Sequence, residues 1–281
     1  MKKVIIFGAG GFGKEVFYEV KGKMNVIAFA DNDSLRWGEE LEGIPIIGNS
    51  EIVITLEHDE VILGTTAYSI VEQLINAGEP QQKINTKYMD VRINARINFI
   101  RDLADIHKNN YKKGCIAEGG VFQGEFSREL NKAFPESELY LFDTFEGFDD
   151  RDVETDLELK LSNISKGHFS YTSEEKVMSK MMYPERVHII KGYFPESVSQ
   201  VDENNRYLFV NLDFDLYNPT YEGLKYFYPR LLNNGVILIH DYYHLNYKAV
   251  PEDIKEYEKN SGVSLLKIPI GDHCSIAIIK R

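Results

Sequence analysis

Twice in this chain a short apolar run breaks into a glycine-rich loop, a helical pattern follows, and an acid closes the next apolar run. The first instance is Lys3–Gly8, then Gly8-Ala9-Gly10-Gly11-Phe12-Gly13, with Asp31 18 residues beyond Gly13. The second is Cys115–Val121, then Glu118-Gly119-Gly120-Val121-Phe122-Gln123-Gly124, with Asp143 19 residues beyond Gly124. Strand, glycine turn, helix and strand in that order need a crossover connection, and crossovers build parallel sheets. A chain of 281 residues has room for two such domains. The fold class is therefore α/β, with two Rossmann-like domains, the N-terminal one a small parallel-sheet domain.

The pattern between these landmarks sets the boundaries. Residues 1–87 form the first domain, with strands at Lys3–Gly8, Asn25–Asp31, Ile44–Gly48 and Glu60–Gly64 and helices at Gly11–Gly22 and Ser69–Ala77. In residues 88–112 Met89, Ile93, Ile97, Ile100 and Ala104 recur every three or four positions, which predicts a linker helix packing on the second domain. Residues 113–281 restart the alternation. Strands are expected at Cys115–Val121, Glu138–Phe145, Val187–Phe194, Tyr207–Asp215 and Val236–Asp241, and helices at Glu125–Ala133, Ser173–Met182, Thr220–Leu232 and Glu252–Asn260. Val263–Ile268 and Ser275–Lys280 suit a closing antiparallel pair, and the acidic stretch Asp149–Glu158 reads as a loop.

Composition narrows the partners. A formal net charge of -12 repels nucleic-acid phosphates, so no nucleic acid is expected as a partner. Cys115 and Cys274 show neither metal-ligand spacing nor a disulfide framework, as in a reduced, cytoplasmic protein. Glycines interrupt the apolar run after Lys2-Lys3, so it reads as a first strand and not a signal peptide; no run is long enough to span a membrane. A homo-oligomer is left open.

Each glycine loop has a chemical reading. In the first, Gly8, Gly10 and Gly13 let backbone and helix N-terminus approach a pyrophosphate, and Asp31 can accept bonds from ribose hydroxyls. The same loop also suits a Rossmann-like domain that keeps the tight turn and binds nothing. The second loop is looser, in the form E-x-G-x-x-x-G, which suits a cofactor without a pyrophosphate; Asp143 is placed to hold a ribose diol.

Further on, Leu212-Asp213-Phe214-Asp215 and His240-Asp241 end two strands. Ligands of open α/β sheets bind outside the carboxyl ends of strands, and two carboxylates there suit a hard cation. Asp213 and Asp241 are the candidate ligands, with Asp215 as a third or, alternatively, as the cap of the helix after Pro219. Tyr217, Tyr242, Tyr243 and Phe145 would form an aromatic wall for a ligand or ordinary packing at the sheet ends.

Ala117–Gly124, Phe142–Phe148, Lys191–Pro195, Leu212–Tyr217 with Pro219-Thr220, and Ile239–Tyr242 together resemble the macrocin O-methyltransferase family over about residues 95–281. The resemblance implies a class I methyltransferase fold, S-adenosylmethionine as donor, Mg²⁺ or another divalent cation, and a sugar hydroxyl as acceptor. It implies that Glu118, Gly120, Gly124 and Asp143 contact the cofactor. It also implies that Asp213 serves catalysis as the first metal position and that His168 is the base. The family often carries two successive acids at the second metal position, where this chain has His240-Asp241.

Val4–Lys14, Phe29–Asp33 and Glu42–Gly48 resemble the N-terminal domain of bacterial sugar acyltransferases, which implies a nucleotide-sugar site. The expected activity is methyl transfer to a sugar or nucleotide-sugar in glycan (polysaccharide) or secondary-metabolite synthesis. The alternatives are a bifunctional enzyme with NAD-linked redox chemistry in the first domain, and a non-catalytic nucleotide-sugar scaffold.

Overall fold

The computed structural model describes residues 1–108, 114–159, 169–243 and 249–281. Two compact units result, Met1–Ala95 and Arg96–Arg281. Among the described residues no helix is long and apolar enough to cross a membrane.

The first unit is a six-stranded sheet in the order β3-β4-β2-β1-β5-β6. Its strands are β1 (Lys3–Phe7), β2 (Asn25–Ala30), β3 (Glu40–Leu41), β4 (Ile44–Ile47), β5 (Glu60–Leu63) and β6 (Ile84–Asn85). All pairings are parallel except β3 with β4. Val4, Ile5 and Ile6 are fully buried, as a strand covered on both faces requires. Alternate residues enter two cores: Val4 and Ile6 join Val16, Phe17 and Val20 of helix α1 (Gly11–Val20), while Ile5 and Phe7 meet Ile70 and Leu74 of α3 (Ser69–Ala77). A short helix, α2 (Ser50–Val53), capped by Asn49, was not expected from the sequence.

The helix expected to serve as a linker is α4 (Lys87–Ile106), and the two units divide within it. Met89 and Ile93 belong to the first unit's core, whereas Ile100 and Ala104 belong to the second's. Its apolar positions do not all pack on the second domain; each half buries its residues in its own unit.

Among its described residues the second unit has a seven-stranded sheet in the order β12-β13-β11-β10-β7-β8-β9. Its strands are β7 (Cys115–Gly119), β8 (Leu139–Asp143), β9 (Val187–Lys191), β10 (Tyr207–Leu212), β11 (Leu231–Ile239), β12 (Leu266–Pro269) and β13 (Ile276–Ile279). Strand β13 is antiparallel to both β11 and β12, the expected closing pair. The strand order reverses between β7 and β10, so a crevice opens at their carboxyl ends, the usual place for a ligand in such a sheet.

Several elements depart from the sequence pattern. Asp149–Glu158 is not a loop: Asp150–Leu159 is a helix, α6, with Asp152, Val153 and Asp156 buried. Its buried face is acidic, so hydropathy does not reveal it. Asp152 accepts hydrogen bonds from Tyr193 Oη (2.8 Å) and Asn218 Nδ2 (3.0 Å). Asp156 accepts one from the Tyr217 N–H (3.0 Å).

That N–H opens helix α8 (Tyr217–Arg230), which begins before Pro219. Proline is tolerated there because first-turn N–H groups have no partner within the helix. Asp215 therefore caps nothing; the helix N-terminus is served by Asp156. Helix α7 (Glu174–Met178) is capped by Ser173 as expected but is shorter, and β9 and β10 end three residues before their expected limits. The remaining helices, α5 (Glu125–Ala133) and α9 (Ala249–Ser261), follow the pattern.

Asp152→Ala should take the acceptor from the partly buried Tyr193 hydroxyl, while Asn218 keeps its bond to Tyr193 Oη (2.7 Å). A loss of about 1–2 kcal/mol is expected in urea unfolding, whereas a solvated acid in a loop would give almost none.

Candidate active site

In the second unit β7 runs into the glycine loop, and β10 runs beside it. Gly120 has φ of +80°, and a Cβ there would lie 1.9 Å from the Asp213 carbonyl oxygen. Glycine is thus required by the close passage of the two strand ends, apart from any ligand. Gly124 also lies at positive φ, at the start of α5. Asp143, at the end of β8, folds back over the loop: its carboxylate accepts from the N–H groups of Val121 (2.7 Å), Phe122 (2.9 Å) and Phe145 (2.7 Å). Asp143, Gly120 and Gly124 are therefore brought to one loop.

Glu118 is turned inward and almost wholly buried. Its carboxylate accepts from Ser127 Oγ and from Asn211 Nδ2, the latter at 3.0 Å. Burial pushes its pKa up to about 8, against the pull of those bonds and of Arg96. Asn211 passes the network on: its Oδ1 accepts from Arg96 Nη2 (2.8 Å), which also binds Asp213 Oδ2 (2.9 Å). The Arg96 guanidinium stacks 3.9 Å from the Phe126 ring centroid.

At the far end of this network lies the acidic cluster. Asp213, Asp215, His240 and Asp241 each offer one ligand atom, and the four atoms lie within 4.8 Å of one another. His240 Nδ1 is 3.1 Å from Asp213 Oδ1 and 3.0 Å from Asp241 Oδ2. Neither contact has the geometry of a ring N–H hydrogen bond. Burial opposes the charge on Asp213, but His240 and Arg96 outweigh it and hold its carboxyl below the usual range. Burial and the neighbouring Asp241 push Asp215 well above that range. For His240 the two carboxylates outweigh burial and raise the imidazole well above its ordinary value.

The cluster is not built by strand alternation. β10 ends at Leu212, and Asp215 takes a left-handed φ of +62°, as does Asp241 at +57°. A turn, and not a shared strand face, brings Asp215 to Asp213.

The expected base His168 lies outside the described residues. The aromatic wall is not formed as a unit. Phe145 lies in the core, Tyr217 donates to Glu256, and Tyr242 packs edge-on to Tyr243. Arg96, Asn211, Ser127 and Cys274 were missed. A polar Asn211 inside the apolar run Tyr207–Leu212 was the one signal available for them.

In the first unit Gly8 and Gly10 lie in the turn between β1 and α1, and Gly13 lies in the first turn of α1. A Cβ at Gly13 would lie 1.8 Å from the Gly8 carbonyl oxygen, so the fold itself demands that glycine; at Gly10 a Cβ would meet nothing within 4 Å. Asp31 accepts from the N–H groups of Ala9 (2.8 Å) and Asp33 (2.9 Å). It pins its loop much as Asp143 pins the other.

The strand order and loop of the second unit define a methyltransferase fold, and comparisons with known proteins agree. The chain aligns over 66% of its length with the O-methyltransferase NovP, covering 79% of that chain at 19% identity and a TM-score of 0.53. For the calicheamicin methyltransferase CalS11 the shares are 75% and 84%, with 16% identity and a TM-score of 0.52. Mycinamicin III 3''-O-methyltransferase of Micromonospora griseorubida is 24% identical over 211 residues, 71% of this chain and 80% of that protein. The chain belongs to the macrocin O-methyltransferase family, whose model matches residues 88–274, and it is an O-methyltransferase. Residues 1–85 match a second family, described as C2185-like, N-terminal.

The raised pKa of Glu118 has a signed consequence. A carboxyl whose folded pKa exceeds its unfolded value stabilises the fold at low pH, and that contribution is lost as pH rises through the folded pKa. The contribution of Glu118 to Tm should therefore be lost between pH 4.5 and about 8, and thermal melts of Glu118→Gln should differ from wild type by that pH-dependent amount.

Proposed function

We propose that the chain transfers the methyl group of S-adenosylmethionine to a hydroxyl of a sugar or nucleotide-sugar. The observation that carries this reading is the crevice between β7 and β10, where a glycine loop pinned by Asp143 lies beside the carboxylates of Asp213, Asp215 and Asp241. The sugar acceptor is supported by the mycinamicin 3''-O-methyltransferase likeness.

In this reading Gly120 and Gly124 leave room for the amino-acid tail of the donor, Asp143 adds ribose contacts to its backbone bonds, and Glu118 holds the loop from beneath. The donor set, three carboxylates and an imidazole converging at two strand ends, fits a divalent cation, Mg²⁺ by family resemblance. Asp213, Asp241 and Asp215 would hold it; when bound, such a cation acidifies and orients the acceptor hydroxyl. Arg96 fixes the rotamer of Asp213, so the acceptor is met by a carboxylate that need not reorganise. Transfer requires oxygen, methyl carbon and sulfur in line, and the hydroxyl proton passes to His168 as general base.

Calorimetry should show one S-adenosylmethionine per chain, and absence of binding would sink the proposal. Asp213→Asn should lower kcat on the order of 10²-fold or more, with donor affinity little changed. Activity untouched by EDTA would remove the cation from the mechanism.

For the first unit we propose a nucleotide or nucleotide-sugar site on Gly8, Gly10, Gly13 and Asp31. Its support is the open space at Gly10, where the protein itself makes no demand for glycine. Gly10→Val should leave the melting curve intact and weaken nucleoside-diphosphate-sugar binding at least 10-fold in calorimetry; equal affinity would refute the site.

A further inference from the structure

The ion site at the ends of β10 and β11 has one donor of a different kind. His240 Nδ1 lies 3.1 Å from Asp213 Oδ1 and 3.0 Å from Asp241 Oδ2, without the geometry of a hydrogen bond to either. Two donors bound at about 2.1 Å to one ion, at roughly a right angle, stand about 3 Å apart. That spacing suits ligands of a shared ion as well as it suits the imidazolium–carboxylate ion pairs formed without one.

Two neighbours weigh against a hard ion. Mg²⁺ is held by the charge of oxygen donors and keeps much of its water. Here an imidazole supplies no negative charge, and the Arg96 guanidinium already engages Asp213 at 2.9 Å. On the other side stands a softer donor: Cys274 Sγ is 3.3 Å from Asp241 Oδ1, and His240, Asp241 and Cys274 form a second set of atoms within 4.8 Å of one another. Imidazole and thiol donors favour ions of the Fe²⁺ to Zn²⁺ series over Mg²⁺.

We propose that this site selects a first-row transition ion, bound through His240 Nδ1 with Asp213 and Asp241 and flanked by Cys274, in preference to Mg²⁺. The inference rests on the reading above that the strand-end cluster holds a cation, and it specifies which cation.

The test uses the full chain, stripped with chelator and titrated with Co²⁺, Zn²⁺ and Mg²⁺ separately by calorimetry, with no sugar or methyl donor present. Co²⁺ and Zn²⁺ should bind at one per chain, at least 100-fold more tightly than Mg²⁺. Because any nitrogen- or oxygen-donor site favours Co²⁺ to some degree, the decisive comparison is His240→Asp. That variant should narrow the Co²⁺/Mg²⁺ ratio at least 10-fold, by losing Co²⁺ affinity and gaining Mg²⁺ affinity. Cys274→Ser should change the visible absorption of bound Co²⁺. Thermal melts show that each variant is folded, and His240→Asn serves if His240→Asp is not.

Mg²⁺ affinity equal to that of Co²⁺ in the wild type, or a ratio unchanged by a folded His240 variant, would overturn the inference. Binding of no ion would overturn it too. Methyl transfer persisting in chelator would then show that the methyltransferase reading survives alone.

Discussion

The second unit depends on a buried polar chain that crosses the point where its strand order reverses. Ser127 and Asn211 hold Glu118, Arg96 holds Asn211 and Asp213, and Asp213 faces His240. A carboxylate as buried as Glu118 is costly to the fold unless its oxygens are satisfied. Here the hydrogen bonds come from two separate elements, α5 and β10, and Arg96 of α4 adds its charge and holds Asn211 in place. The interaction that makes burial tolerable therefore also sets the register of β7 against β10 and aims Asp213 at the crevice. Partly satisfied networks of this kind destabilise, while complete ones fix a single arrangement.

The two units share a second device. In each, the acid at the end of the second strand of the β–α–β unit bonds to backbone N–H groups of the glycine loop: Asp31 to Ala9, and Asp143 to Val121 and Phe122. The carboxylate satisfies donors that a tight turn would otherwise leave exposed. It also holds the loop in one conformation, so a ligand meets a preformed surface. The role assigned to these acids from spacing, contact with a ribose, is additional to this structural one.

Periodicity made both sheets legible, because alternate residues of β1 and of the Val236–Ile239 stretch of β11 enter opposite cores and because crossover helices bury residues three and four apart. Family resemblance carried the methyltransferase reading and the glycine loop with it. The helix Asp150–Leu159 was not legible, since its buried face consists of acids whose partners, Tyr193, Asn218 and the start of α8, are distant in sequence. The contribution of Arg96 was hidden for the same reason: on α4 it reads as one polar residue among many.

The sequence alone determined that two parallel α/β sheets form, that each carries a glycine loop with an acid behind it, and that Asp213 and Asp241 stand at strand ends. Those features follow from local spacing, which backbone geometry converts directly into strands, turns and helix faces. Tertiary structure decided the rest. It ended β10 at Leu212, so that a left-handed turn carries Asp215 back to Asp213. It set Arg96 against one oxygen of Asp213 and His240 against the other, and brought Cys274 beside Asp241. These choices belong to charge and hydrogen-bond satisfaction between segments far apart in the chain, and no local period records them.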